Sequence, residues 1–201
     1  RGWVGSTNNR VTDADYPYPF STHFAPGWRY LRLTEIMDGA ATPMTTADHW
    51  RANLDIKNLL AERLRPRLLA AFAQDPALAE LAQTLRNWNL RDDQSLAAPL
   101  VFQSVLRQLA LETFADDLSG TLLIDYLDES YYWQERFMAL LESDDSDWFD
   151  DQRTVQLESS DDIIRRAGHQ ALAELQQDFG ADSARWSWGE AHRIVFSHPF
   201  F

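Results

Sequence analysis

From Trp28 to Phe179 apolar residues return every three or four positions in one segment after another, and that period most constrains what the chain can fold into. A helix gathers residues at that spacing on one face, and each such face must be buried against another. Leu31, Ile36 and Met37 mark the first face, which Gly39 and the AATP turn end; Thr45 or Thr46 then caps a second helix running through Arg51. NLLAERLRPRLLAAFAQD, from Asn58 to Asp75, keeps the period but holds Pro66 as a kink or a break. PALAELAQTLRNWN opens on Pro76, in a first turn where a missing N–H costs least. LAAPLVFQSVLRQLALETFADDL and SYYWQERFMALLES are both amphipathic and continue the series. SSDD then caps a last long helix, about Ser160 to Phe179, with negative charge at its N-terminus.

The two ends read differently. Trp3 to Thr7 reads as a short strand that runs into a loop rich in Asn, Asp, Pro and Tyr up to about Gly27. At the other end Ile194 to Phe196 reads as an apolar strand between His192 and His198. Those two histidines share a face in an extended segment but lack a third ligand, so they read as structural rather than as a zinc site. The acidic run Glu142 to Asp151, ESDDSDWFDD, has carboxylates at alternating positions, without the glycine and closing glutamate of an EF-hand. It reads as a solvated loop that Trp148 and Phe149 pin to the core. The expectation is a single piece over 1–201, mainly α with a few short strands at the ends: strand and loop over 1–27, helices over 28–180, and a terminal strand segment over 181–201.

Eighteen basic against 31 acidic residues give a net charge of −13, which repels nucleic acid and anionic lipid. Lys57 is the one lysine, so positive charge is almost all arginine, the side chain that grips a carboxylate with two parallel hydrogen bonds. The chain has no cysteine, which removes thiol catalysis and thiolate metal sites. It has no run of eighteen apolar residues and no signal-peptide pattern at its start, so neither a membrane span nor a nucleic-acid partner is expected.

Taken in order, STNNRVTDADYP, WRYLRLTEI, DWFDD, WSWGEAH and SHPF resemble the latter part of the β subunit of the penicillin acylase family, over about residues 3 to 200. The resemblance implies a fragment of an αββα N-terminal nucleophile hydrolase, an amidase that cuts its own precursor to expose a serine. That serine attacks an acyl amide, such as a β-lactam side chain or an acyl-homoserine lactone, with its own α-amine as base. It also implies a periplasmic or secreted location. The implied partners are the α subunit, the N-terminal part of the β subunit and a small acyl amide substrate.

Carried over by residue, the resemblance makes Asn8 the side-chain amide that donates to the oxyanion, and leaves Asn9 a turn residue. Arg32 matches the arginine near the nucleophile, which would order the asparagine and favour negative charge; the alternative is a helix-surface arginine paired with Glu35. No cofactor is evident. Some family members bind calcium with an aspartate after the Tyr-Pro of this loop, where Phe20 and Ser21 stand here. The chain begins at Arg1 rather than at a serine, threonine or cysteine, so the isolated chain is expected to be inactive; unpaired strand edges and apolar surface left by the missing partner lead us to expect that it self-associates. Processing between Gly5 and Ser6 would expose a serine, but one placed beside the oxyanion loop and without the sheets of the fold. The reading from a different class is a noncatalytic, acidic helical module that binds a protein partner.

Overall fold

The computed structural model of the chain describes residues 2–13, 15–41, 43–128, 133–143 and 146–196. Its helices are α1 (Trp28–Asp38), α2 (Thr46–Asn53), α3 (Leu59–Phe72), α4 (Ala79–Asn87), α5 (Ala97–Phe114), α6 (Thr121–Asp128), α7 (Trp133–Ser143), α8 (Ser160–Phe179) and α9 (Trp188–Ala191). Short 3-10 turns precede α4, α8 and α9. The protein is mainly helical, as the three- and four-residue period requires.

Helix starts follow the capping chemistry. Thr45 caps α2 and Ser159 caps α8, each in a reciprocal box with an aspartate three residues on, Asp48 and Asp162. Asn58 caps α3 through the Ala61 N–H. Pro66 neither ends nor splits α3, which runs unbroken through it. The lost hydrogen bond costs about 3 kcal/mol, and seven buried residues along the same helix, among them Leu64, Leu68 and Phe72, outweigh it.

The core centres on α5 packed along α8, with α3 and α4 closing the sides. α5 buries eleven residues, including Val101, Phe102, Val105 and Leu109. α8 buries Ile163, Ile164, Ala167, Gly168 and Ala171. Gly168 is required by closeness: a Cβ there would lie 2.7 Å from Phe72 Cε1 and 2.9 Å from Leu78 Cδ1. At about 1.5–3 kcal/mol for each large side chain fully buried, this cluster dominates the stability of the molecule.

The strands expected at both ends are absent. Residues 2–7 are extended but pair with no strand, and Ile194, Val195 and Phe196 are 73%, 83% and 93% exposed. A strand needs a neighbour to accept and donate its backbone hydrogen bonds, and the one bridge among the described residues joins Lys57 to Arg91. The segment read as a terminal strand instead carries the single-turn α9, tied back to the start of α5 by Trp188 N–H to the Leu96 carbonyl and Gly189 N–H to the Gln94 carbonyl. His192 stacks on Trp188 at 4.6 Å; His198 lies outside the described residues.

Phe149 pins the acidic run to the core, and two of its carboxylates, Glu142 and Asp151, are matched by arginines. Phe149 is buried and Trp148 sets its ring edge on Phe114 at 5.3 Å while remaining half exposed. Asp151 accepts from Arg153 at 2.7 Å and Arg166 at 2.7 Å, and Arg166 also reaches Glu158 at 2.8 Å. These arginines hold the Asp151 carboxyl far below the usual carboxylate range. Among the described residues no three histidine, aspartate or glutamate side chains gather as a metal site.

Candidate active site

Residues 3–8 lie lengthwise against α1, in the opposite direction. Trp3 donates its indole N–H to Asp38 at 3.0 Å and tilts against Tyr30; Gly5 meets Leu33; Arg29 reaches Thr7 and Asn8. Two extended residues span roughly 6.6 Å and four helical residues about 6 Å, so every second arm residue meets every fourth helix residue. Gly5 is the close point, since a Cβ there would sit 3.0 Å from Leu33 Cδ2. A helix offers side chains rather than free backbone groups, which is why this arm is extended without being a strand.

Asn8 is the bend at the end of the arm, with φ at +66°. That left-handed region is closed to most side chains but open to asparagine. Its carbonyl accepts the Ala25 N–H at 2.8 Å, which closes the loop of residues 8–25. Its side-chain oxygen accepts from Arg29 Nη2 at 3.1 Å, while the same nitrogen donates to the Thr7 carbonyl at 2.8 Å. A guanidinium only donates, so it fixes the amide oxygen inward and turns Nδ2 away. Asn8 is exposed, and Nδ2 donates to no other described residue. A cation on the amide oxygen polarises the amide and strengthens its N–H donors.

Asn9 does different work. It is 8% exposed, accepts from the Thr7 N–H at 3.1 Å and the Thr7 hydroxyl at 3.3 Å, and donates to the Arg10 carbonyl at 2.9 Å. Both polar atoms of its buried amide are engaged within the turn.

Arg32 makes no hydrogen bond to Asn8. It forks onto Asp55, Nε to Oδ1 at 2.7 Å and Nη2 to Oδ2 at 2.9 Å, and gives Nη1 to Glu35 at 2.8 Å. The expected surface pairing with Glu35 is therefore present, within a larger cluster that ties α1 to the segment before α3. The guanidinium lowers the Asp55 carboxyl to about 2, and lowers Glu35 as well, with help from Lys57. The arginine that reaches the Asn8 amide is Arg29, one turn earlier. WRYLR places both arginines on one face, and the closure of the loop by Ala25 N–H on the Asn8 carbonyl sets the first turn of α1 against Asn8.

Arg29 and Arg32 both line a cavity of about 660 Å³ that also touches Ser6, Thr7, Trp28 and Asp55. After Tyr18-Pro19 the loop presents Phe20, stacked on Phe24, and Ser21, whose hydroxyl exchanges hydrogen bonds with the His23 backbone. Neither supplies a carboxylate, so these two positions lack the calcium ligand that the resemblance implied.

An exposed, polarised amide held at a left-handed bend by an arginine defines a donor site, set on a helical scaffold. The penicillin amidase family model matches residues 1–201, and the chain belongs to that family, a family of hydrolases. It is similar to proteins named acyl-homoserine lactone acylase QuiP: 25% identical to that of Pseudomonas putida over 100% of this chain and 27% of the relative. The Pseudomonas fluorescens protein is 26% identical over 98% of this chain and 26% of its own length. The Pseudomonas aeruginosa protein is 24% identical over 96% and 25%. The chain thus spans about a quarter of the length of the curated relatives it matches.

Proposed function

We propose that these residues form the helical part of a longer acyl-amide hydrolase, in which Asn8 donates from Nδ2 to the oxyanion of the tetrahedral intermediate. The observation that carries the reading is the Asn8 amide, its oxygen bound by Arg29 and its nitrogen presented outward at the end of the arm. A neutral donor fixed before the reaction stabilises the charge that develops on the substrate oxygen without reorganising. The nucleophile, a serine exposed by self-cleavage, comes from polypeptide outside these 201 residues, and the isolated chain is inactive.

The substrate is an acyl amide, with acyl-homoserine lactones favoured by the names of the similar proteins; the location is periplasmic or secreted. Arg29 positions Asn8, and Arg32 acts through Asp55 to hold α1 in place. Exposed Tyr16, Tyr18 and Phe20 would also suit a noncatalytic interaction module, and one experiment separates the two. In the longer protein, Asn8→Ala is expected to lower kcat by about 100-fold to 1,000-fold, the effect of one lost oxyanion donor, with KM less affected. Gel analysis of each variant excludes a failure of self-cleavage as the cause. Near-wild-type turnover in a fully processed Asn8→Ala enzyme would remove the arm from the active site.

A further inference from the structure

The 660 Å³ cavity beside α1 carries a second recognition problem. Its charged groups largely satisfy one another: Arg32 holds Asp55 and Glu35, and Lys57 holds Glu35 and Glu62. Its neutral groups do not. Trp28 lines the cavity, and its indole N–H is shut off from solvent with no hydrogen-bond partner among the described residues. Gln103 of α5 and Gln134 of α7 line it too, each half-buried and each with an amide that bonds to no described residue. A buried donor without a partner bears the full cost of losing its water, and native proteins rarely leave one so.

We infer that the cavity is the seat of an extended polypeptide segment from the remainder of the longer protein, whose backbone carbonyls and N–H groups pair with Trp28, Gln103 and Gln134. Three observations select this occupant. The unmet groups are one donor and two amides, which match the alternating donors and acceptors of a peptide backbone. A small charged ligand would find Arg32 and Lys57 held by carboxylates and Arg29 engaged with the Thr7 and Asn8 oxygens. The chain spans about a quarter of its relatives' length, so polypeptide of the right kind is available in the longer protein. The inference rests on the proposed function only in taking this chain as part of that longer protein. It places the segment next to Arg29, behind the arm that presents Asn8.

The test uses the longer protein with the photo-crosslinking residue p-benzoyl-phenylalanine in place of Gln134, and separately in place of Gln103, so that one position serves if the other disturbs folding. After irradiation and digestion, mass spectrometry is expected to find each position joined to a peptide outside these 201 residues, the same peptide from both. Cross-links confined to residues 1–201, cross-links to an added acyl amide substrate, or no cross-link from either folded variant would overturn the inference. Loss of the cross-link with Asn8→Ala still abolishing turnover sinks the seat alone. A cross-link to outside polypeptide with Asn8→Ala fully active sinks the catalytic reading alone.

Discussion

The arm with α1, and the α5–α8 pair, are built on opposite principles. α5 buries eleven residues and α8 seven, whereas neither α1 nor α2 buries any. Beyond Trp28, which packs on the edge of the core, α1 is tied down by sparse polar links: Arg32 on Asp55, Arg29 on Thr7 and Asn8, and Trp3 on Asp38. Apolar burial is insensitive to direction, so it can make a scaffold but cannot aim an amide. Hydrogen bonds to a guanidinium fork have direction, and the functional candidate sits where they dominate.

Four measurements press on that difference. Phe102→Ala in α5 is expected to cost about 3–5 kcal/mol in urea unfolding, against less than about 1.5 kcal/mol for Leu33→Val, a smaller loss at a half-buried position on α1. Equal costs would erase the contrast. Acid should act the other way round. The Asp55 carboxyl is lowered from 3.8 to about 2 and its side chain is only 14% exposed, so its ionised form, held first by Arg32 and then by the Lys57 N–H and Arg91, contributes on the order of 2 kcal/mol. A lowered folded value means the contribution is complete above the unfolded value and lost as pH falls through about 4 to 2. Over that range Trp3 and Trp28 fluorescence should change in the wild type and stay flat in Asp55→Asn, which lacks the charged link at every pH.

Gly168→Ala tests closeness in the core. The gain in helix propensity, about 1 kcal/mol, is set against overpacking of about 1–3 kcal/mol; a net loss of roughly 1 kcal/mol is expected because Phe72 and Leu78 are packed on both sides. A higher melting temperature would show that α8 can move aside. Asn9→Ala removes three hydrogen bonds within the turn and is expected to cost about 1 kcal/mol, as much as Gly168→Ala. Hydrogen exchange at Thr7 should rise, and activity in the folded longer protein should stay within severalfold of wild type. A loss as deep as that of Asn8→Ala would merge the two asparagines into one role.

The core was legible because period and capping are local. Ser160 to Phe179 could be read to the residue from its SSDD cap and its apolar stripe, and so could Thr45 as one of two caps. α6 escaped notice because TLLIDYLD is short and nearly all its apolar residues stay partly exposed. The end strands were misread because Trp3–Thr7 and Ile194–Phe196 have strand composition, while strand formation depends on a neighbour that a local pattern does not contain. Arg32 was assigned to Asn8 for a similar reason. Two arginines one turn apart are equivalent in sequence, and the direction in which the arm returns along α1 decides between them.

The most direct measurement is a double-mutant cycle on the longer enzyme, comparing Asn8→Ala, Arg29→Ala and the pair, with Arg32→Ala as the reference. If Arg29 works by holding the Asn8 amide, its removal should cost little once Asn8 is gone, so the paired variant should lose no more turnover than Asn8→Ala alone. Arg32→Ala should instead multiply with Asn8→Ala, because its bonds go to Asp55 and Glu35. Losses for Arg29 and Asn8 that simply multiply, or an Arg32 effect that vanishes in the Asn8→Ala background, would contradict the arrangement described here.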